Sequence, residues 1–269
     1  MSKVLIAGAA GRMGRRIGYM VHQHPDLQVV GGFEKEDSPV LGKDMGELGG
    51  YGAIGIPVVA GLGGIIAAGD VIIDFTFHEA TMQIARQAAR AGKAMVIGTT
   101  GLTAANLAEL KELAANFPCV QSPNMAVGVN VLFKVAAKVA AILGDGYDIE
   151  IVEAHHRMKK DAPSGTALKL GEMVAAAVHR NLAEVGVYAR HGMIGERTDK
   201  EIGIQTIRAG DIVGEHTVYY AGAGERLEIT HRAHSRDNFA RGAALAAAWV
   251  VKQPNGLYNM FDVLGLQDI

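Results

Sequence analysis

The sequence predicts an α/β protein in two domains: an N-terminal doubly wound parallel sheet, and a second α+β domain carrying an open mixed sheet. Three observations predict it. Short apolar runs alternate with helical spacings from residue 3 to residue 122, the pattern of parallel strands with helices on both faces. A glycine-rich turn, Gly8-Ala9-Ala10-Gly11-Arg12-Met13-Gly14, joins the first apolar run to the first helix. From about residue 187 the alternation gives way to successive strand-like runs, closed by an Ala-rich helix.

Lys3 to Ala7 reads as a buried strand, and Met13, Ile17, Met20 and Val21 fall on one face of a helix that His24-Pro25-Asp26 stops. Leu27 to Phe33 is a second strand ending at Glu34, 20 positions after Gly14. Strand, glycine turn, helix, strand and acidic residue match the Rossmann-like dinucleotide-binding fingerprint in all but the place of the second glycine. Gly8 permits the tight turn, Gly11 the approach of a pyrophosphate, and Gly14 the packing of helix on strand. A glycine-rich turn that binds nothing would share the glycines; the register of Glu34 favours a nucleotide site.

Residues 41–55 hold six glycines and read as a mobile loop. Asp70 to Phe75 and Lys93 to Gly98 are buried strands with a helix, His78 to Ala91, between them. Thr103 caps a helix from Ala104 to Asn116, and Pro118 to Ser122 is a further strand. Ligands of such sheets sit beyond the carboxyl ends of the strands. Phe75-Thr76, Gly98-Thr99-Thr100 and Ser122-Pro123-Asn124-Met125 therefore converge, small and polar enough to hydrogen-bond a nicotinamide amide or a ribose.

After Asn130 the pattern changes: Val131 to Leu143 is helical and Tyr147 to Val152 alternates as a strand. Within the stretch 153–167 that follows, His155, His156, Arg157, Lys159 and Lys160 put five basic groups in six positions. Pro163, Ser164 and Gly165 interrupt, and Thr166 to Arg180 resumes at helical spacing. With Ser164 as N-cap, the N–H groups of Gly165 and Thr166 point out of the helix start, a terminus that binds anions. Basic loop and open helix start read as a cradle for a small acidic substrate; a solvated loop before an ordinary capped helix would use the same residues. His155 and His156, as neighbours on an extended strand, face opposite ways and cannot chelate one ion. His216, His231 and His234 read as sheet or edge histidines, so no metal site is expected.

Ile202 to Arg208, Glu215 to Tyr220 and Arg226 to Arg232 read as strands of a sheet with one face covered. The other face (Ile202, Ile204, Thr206 or their mates) is expected to need a partner subunit. The helix Asn238 to Val251 is expected to return to the first domain. Residues 1–126 plus 236–269 then form a dinucleotide-binding domain, and 127–235 a substrate-binding and oligomerisation domain, hinged about one cleft.

Composition excludes other classes. With 49% apolar and 20% charged residues the chain suits a soluble globular protein, and a formal charge of −2 gives no global field toward nucleic acid or a membrane. The single cysteine, Cys119, precludes an internal disulfide, fits a reducing cytosol and reads as a core residue. No signal peptide and no uninterrupted apolar run of ~18 residues is seen, so a cytoplasmic location is expected.

The pattern Gly-x-x-Gly-Arg-Met-Gly at 8–14, followed by Glu-x-His-His-x-x-Lys-x-Asp-Ala-Pro-Ser-Gly-Thr-Ala at 153–167, resembles the dihydrodipicolinate reductase family over nearly the whole chain. The resemblance implies reduction of 4-hydroxy-tetrahydrodipicolinate, a small dicarboxylate, to tetrahydrodipicolinate by NADH or NADPH with loss of water, in the diaminopimelate route to lysine. It implies cofactor contacts from Gly8 through Met13, from Glu34, from Gly98-Thr99-Thr100 and from Ser122 through Met125. It also implies that His155 is a proton donor or acceptor, that Lys159 is the proton donor, and that His156, Gly165 and Thr166 contact the substrate. Lys35 stands where many bacterial members carry arginine, which leaves the choice of nucleotide open. Glu34 favours NADH, while Lys35, with Arg12 or Arg16, is placed to attract a 2′-phosphate. A homotetramer built through the second sheet is expected.

Other readings compete. A non-catalytic nucleotide sensor has no need of Lys159 or of Ser164-Gly165-Thr166. A reductase of another small acid, such as a semialdehyde dehydrogenase, wants a nucleophilic cysteine that Cys119 does not supply. A nucleic-acid binder is disfavoured by the charge and the sparse aromatics.

Overall fold

In chain order the computed structural model, which describes residues 1–269, begins with β1 (Ser2–Ala7), α1 (Arg12–His22), β2 (Leu27–Glu34), α2 (Met45–Gly49) and β3 (Val58–Ala60). There follow β4 (Val71–Asp74), α3 (His78–Ala91), β5 (Ala94–Ile97), α4 (Ala104–Leu113), β6 (Pro118–Gln121) and α5 (Val127–Leu143). Next come β7 (Asp148–His155), α6 (Gly165–Ala177), α7 (Leu182–Val185), β8 (Gly186–Val187) and β9 (Ile202–Arg208). The chain closes with β10 (Gly214–Gly222), β11 (Glu225–Ala233), α8 (Asp237–Val250), β12 (Gly256–Tyr258) and α9 (Met260–Leu264). Two compact units result: Met1–Val127 with Arg236–Gln267, and Gly128–Ser235 with Asp268–Ile269.

The first unit holds a seven-stranded sheet in the order β12-β6-β5-β4-β1-β2-β3, every pairing parallel. Its central strands are apolar on both faces because both faces are covered. Val4, Ile6, Ile73 and Val96 pack with Ile17 and Val21 of α1 and the alanine stripe of α8. Leu5, Ile72, Met95 and Ile97 pack with Met82 and Ala85 of α3 and Leu110 of α4. The alanine stripe lets α8 approach closely: a Cβ on Gly242 would stand 1.8 Å from the Met125 carbonyl oxygen. Strand order reverses between β1 and β4, and such a switch point opens a crevice at the carboxyl ends. Two features depart from expectation. Residues 41–55 contain α2, capped by Asp44, whose carboxylate accepts the N–H groups of Gly46, Glu47, Ile54 and Ile56. The edge strand β12, paired with β6, was not foreseen.

The second unit holds a mixed five-stranded sheet in the order β11-β10-β7-β9-β8. One face is covered by α5 and α6. Tyr220 donates from Oη to the Ala136 carbonyl of α5 at 2.6 Å. Gly171 of α6 sits so close to Ile204 that a Cβ would meet its Cδ1 at 2.8 Å. Ile149, Ile151, Ile202, Ile204 and Val218 are fully buried there. This corrects the expectation that Ile202 and Ile204 face a partner: the outward residues of β9 are Gly203, Gln205 and Ile207, the last 47% exposed. The segment Val127–Gly146 is long and apolar enough by length and composition to cross a membrane. Its apolar residues Val129, Leu132, Phe133, Ala136 and Ala140 are nonetheless buried in the fold.

Candidate active site

In the first unit the turn after β1 is built by three glycines with separate tasks. Gly8 adopts φ +61°, a left-handed conformation open to glycine. Gly11 starts α1 with no side-chain cap, so the first-turn N–H groups face outward, suited to an anion. A Cβ on Gly14 would stand 2.1 Å from the Gly8 carbonyl oxygen, so α1 can lie on the turn only because residue 14 is glycine. Glu34 reaches back to this turn, where Oε1 accepts the Ala10 N–H at 2.9 Å. Beside it lies a cavity of about 320 Å³ at the switch point, lined among others by Gly8, Glu34, Lys35, Leu62, Thr76 and Gln83. Turn, acid and cavity fit the pyrophosphate and adenosine portions of a dinucleotide.

The loops after β4 and β5 are tied to one buried carboxylate. Asp74, fully buried, accepts from Thr76 N–H at 3.2 Å, Thr76 Oγ1 at 2.5 Å, Thr81 Oγ1 at 2.5 Å and Thr99 Oγ1 at 3.0 Å. Burial pushes this carboxyl above the usual range, against the pull of those four donors. Gly98 lets the Phe75 ring pack on the backbone: a Cβ there would stand 2.2 Å from it, and the ring would have to shift. Ser122 Oγ donates to the Asn124 carbonyl, and Asn124 Oδ1 accepts the Ala126 N–H, which folds the loop after β6.

Some expected cofactor contacts are placed differently. The Ala10 N–H is already taken by Glu34. Met125 is fully buried and Met13 packs against the same core, which leaves the backbone of each for a ligand. Arg16 is held by Asp237 through two bonds of 2.6 Å, which fix its guanidinium on that carboxylate. Arg12 and Thr100 are exposed, as is Pro123. Lys35 forms a surface ion pair with Asp37 at 3.1 Å.

In the second unit β7 runs three residues further than its alternation suggested and ends at His155. Glu153 and His155, two apart, share the covered face. Glu153 is fully buried; its Oε2 takes His155 Nδ1 at 2.5 Å and Arg208 Nη1 at 2.9 Å. Its Oε1 takes Arg208 Nη2 at 2.8 Å, Ser164 N–H at 2.9 Å and Thr206 Oγ1 at 3.3 Å. Burial opposes the charge, but these donors outweigh it and bring the carboxyl down to about 2. His216, expected as an ordinary sheet histidine, is buried with its ring edge-on to His155 at 5.2 Å and its Nε2 3.3 Å from Ser164 Oγ. Burial and the neighbouring His155 push it down to about 3, so it is neutral. Lys159 pairs with Asp161 at 2.9 Å, and its hydrogen bond holds the Asp161 carboxyl below the usual range. Ser164 caps α6, accepting the Ala167 N–H at 3.2 Å, so the helix starts at Gly165, one residue earlier than expected. His156 is half-buried at the end of the strand, Gly165 is exposed and Thr166 half-buried.

These features have counterparts in known proteins. The profile described as dihydrodipicolinate reductase, N-terminus, matches residues 2–125, and the one described as dihydrodipicolinate reductase, C-terminus, matches residues 128–264. The chain belongs to the dihydrodipicolinate reductase family. It is 68% identical over 269 residues to the 4-hydroxy-tetrahydrodipicolinate reductase of Desulfotalea psychrophila, covering 100% of both chains. The enzyme of the same name from Syntrophus aciditrophicus is 56% identical over 267 residues, 99% of this chain and 100% of that one. A dipicolinate-bound dihydrodipicolinate reductase from Paenisporosarcina sp. TG-14 superposes with a TM-score of 0.77 at 26% identity, covering 97% of this chain and 98% of that one. An aspartate semialdehyde dehydrogenase II from Vibrio cholerae shares the fold at 12% identity, with a TM-score of 0.52. As a dihydrodipicolinate reductase, the protein is an oxidoreductase that uses a pyridine nucleotide.

Within the second unit, His155, Lys159 and the start of α6 stand along one strand, loop and helix, as the family motif predicts. The sequence reading missed the groups that hold them: Glu153, Thr206, Arg208 and His216, and Asp74 in the first unit. The Glu-x-His spacing on a strand was a usable signal for Glu153; nothing local marks Arg208, which lies 55 residues away from its partner.

Proposed function

We propose that this chain reduces 4-hydroxy-tetrahydrodipicolinate to tetrahydrodipicolinate with loss of water, as a cytoplasmic step of diaminopimelate and lysine synthesis. The observation that carries the reading is the segment from Glu153 to Ala167. It sets a histidine, a lysine, each paired to a carboxylate, and a capped helix start side by side, in a chain 68% identical to a named reductase of this substrate. The first unit is assigned the dinucleotide, and the second the dicarboxylate and the subunit contacts.

The nucleotide, when bound, supplies the hydride. The start of α6 at Gly165 and Thr166, with His156, holds the substrate carboxylates, because a helix N-terminus and a ring N–H both favour an anion. Lys159 meets the negative charge that gathers on the ring nitrogen and delivers a proton there. Its ion pair with Asp161 aims the ammonium. His155 is the second proton-handling group. For the nucleotide, Glu34 favours the free ribose hydroxyls of NADH, and Lys35 offers a single point charge to the 2′-phosphate of NADPH. Both are expected to serve, NADH at least as well as NADPH.

The test is the fall in nicotinamide absorbance with substrate freshly made from aspartate semialdehyde and pyruvate. Turnover that requires that mixture supports the reading. Failure to oxidise either nucleotide in its presence rejects it.

A further inference from the structure

The reductase reading gives roles to His155 and Lys159 but none to the fully buried carboxylate beneath them. We infer that Glu153, clamped by Arg208, is a positioning residue that fixes His155 with a proton on Nδ1 and ties that ring to both the Lys159 loop and the start of α6. The inference rests on the assignment of this segment as the substrate site.

An isolated buried carboxylate costs several kcal/mol, and a merely structural position is filled as well by apolar side chains. Here the carboxylate is not isolated. An ionised carboxylate offers about four lone-pair sites, and Glu153 receives five donors: His155 Nδ1, two guanidinium nitrogens of Arg208, the Ser164 N–H and Thr206 Oγ1. Each leads to a different part of the site. Ser164 is the N-cap of α6. Arg208 Nη2 also donates to the Asp161 carbonyl at 2.6 Å, and Asp161 is the partner of Lys159. One carboxylate and one guanidinium thus set the positions of the histidine, the lysine loop and the helix start.

The chemistry at His155 follows from the geometry. A carboxylate only accepts, so the ring atom 2.5 Å from Oε2 must carry hydrogen. Proton exchange with a ligand is then left to Nε2, the same logic by which a carboxylate fixes the tautomer of a catalytic histidine. The Nε2 end of the ring lies close to β10, where a Cβ on Gly214 would stand 3.1 Å from it. Glu153 and His216 touch His155; around Glu153 stand Thr206 and Arg208 on β9 and Ser164 at the start of α6, with Asp161, the partner of Lys159, bonded to Arg208. Of these, His216 stays neutral, which leaves Glu153 as the one anion in contact with the ring.

The first measurement needs no variant. A ring N–H held on a buried carboxylate gives a far-downfield proton resonance; the wild-type protein should show one, and His155→Gln should lack it. Absence from the wild-type spectrum overturns the inference. Glu153→Gln keeps the shape and removes the charge. It should lose the resonance and lower kcat by about 10²-fold, with KM for the nucleotide changed less than about twofold. A Glu153→Gln enzyme that keeps either the resonance or its kcat rejects the role. Should that variant not fold, Arg208→Lys, which keeps the charge but not the fork, should retain the resonance and lose kcat; unchanged kcat rejects the clamp. A wild-type protein that shows the resonance but no turnover would reject the reductase reading and leave the Glu153–His155 pair standing.

Discussion

Lys159 is the residue on which the proposed proton transfer turns, and its surroundings make a sharp prediction. Its ammonium pairs with Asp161, and Asp161 is held in turn through its carbonyl by Arg208. Substituting Lys159→Ala removes the acid without touching the Glu153 cluster, so kcat should fall by about 10²-fold or more while nucleotide affinity barely changes. Steady-state kinetics decide it: a raised KM at unchanged kcat would move Lys159 from proton delivery to substrate binding. Asp74 plays a comparable supporting part in the first unit. Its carboxylate consumes the hydroxyl protons of Thr76, Thr81 and Thr99, so Thr76 and Thr99 present oxygen lone pairs rather than donors to any ligand. That polarity suits the amide NH₂ of a nicotinamide.

Two elements are proposed to set specificity. The start of α6 presents Gly165 and Thr166 after a Ser164 cap, beside His156, and so is suited to read a carboxylate. If the helix start and His156 each take one, pyridine-2,6-dicarboxylate should inhibit competitively. The monocarboxylate should be weaker by about 1.5–3 kcal/mol, the worth of one charge-assisted hydrogen bond. Equal inhibition constants would show that a single carboxylate is read. The end of β2 is proposed to set the nucleotide. Lys35 must leave Asp37 to grip a 2′-phosphate, and an exposed pair costs only about 0–1 kcal/mol to break. Lys35→Ala should therefore weaken NADPH by about 1 kcal/mol and leave NADH nearly unchanged in a binding titration. Equal losses for both nucleotides would remove Lys35 from the discrimination. At this scale the sequence was a good guide wherever an element announces its own ends: His78 to Ala91 needed no adjustment, and the Ser164 cap placed α6 to within one residue. It was a poor guide where partners are distant. Glu153 and His155 look like loop residues, yet β7 continues through them because Arg208 on the neighbouring strand forks onto Glu153, which in turn takes His155 Nδ1. The six glycines of 41–55 hid α2, which depends on one carboxylate capping a turn and pinning Ile54 and Ile56. Three residues of β12 carry too little pattern to read without the β6 edge that pairs with them.

For the whole molecule, the open face of the second sheet argues for assembly. With Ile202 and Ile204 turned to the helices, strand alternation turns Val152, Gln205, Ile207 and Thr217 outward, and no helix of that unit covers them. Ile207 is 47% exposed, and the segment after β8 adds Tyr188 at 45%, Ile194 at 55% and a fully exposed Met193. Charges near this surface are already spent on one another: Arg190 forks onto Glu150 and also meets Glu201, while Arg197 takes Asp148 and Glu150. A sheet face of apolar and uncharged polar side chains, bounded by internally neutralised charge, suits a self-complementary contact better than solvent. A homotetramer formed through it should give, in light scattering at micromolar concentration, about four times the 28.3 kDa of one chain. Ile207→Asp would place a charge in the middle of the buried contact, a substitution worth several kcal/mol at each copy, and should shift the mass toward smaller species while leaving the circular dichroism of the fold intact. A wild-type mass of one chain, or an Ile207→Asp variant that still scatters as a tetramer, would move the assembly surface elsewhere.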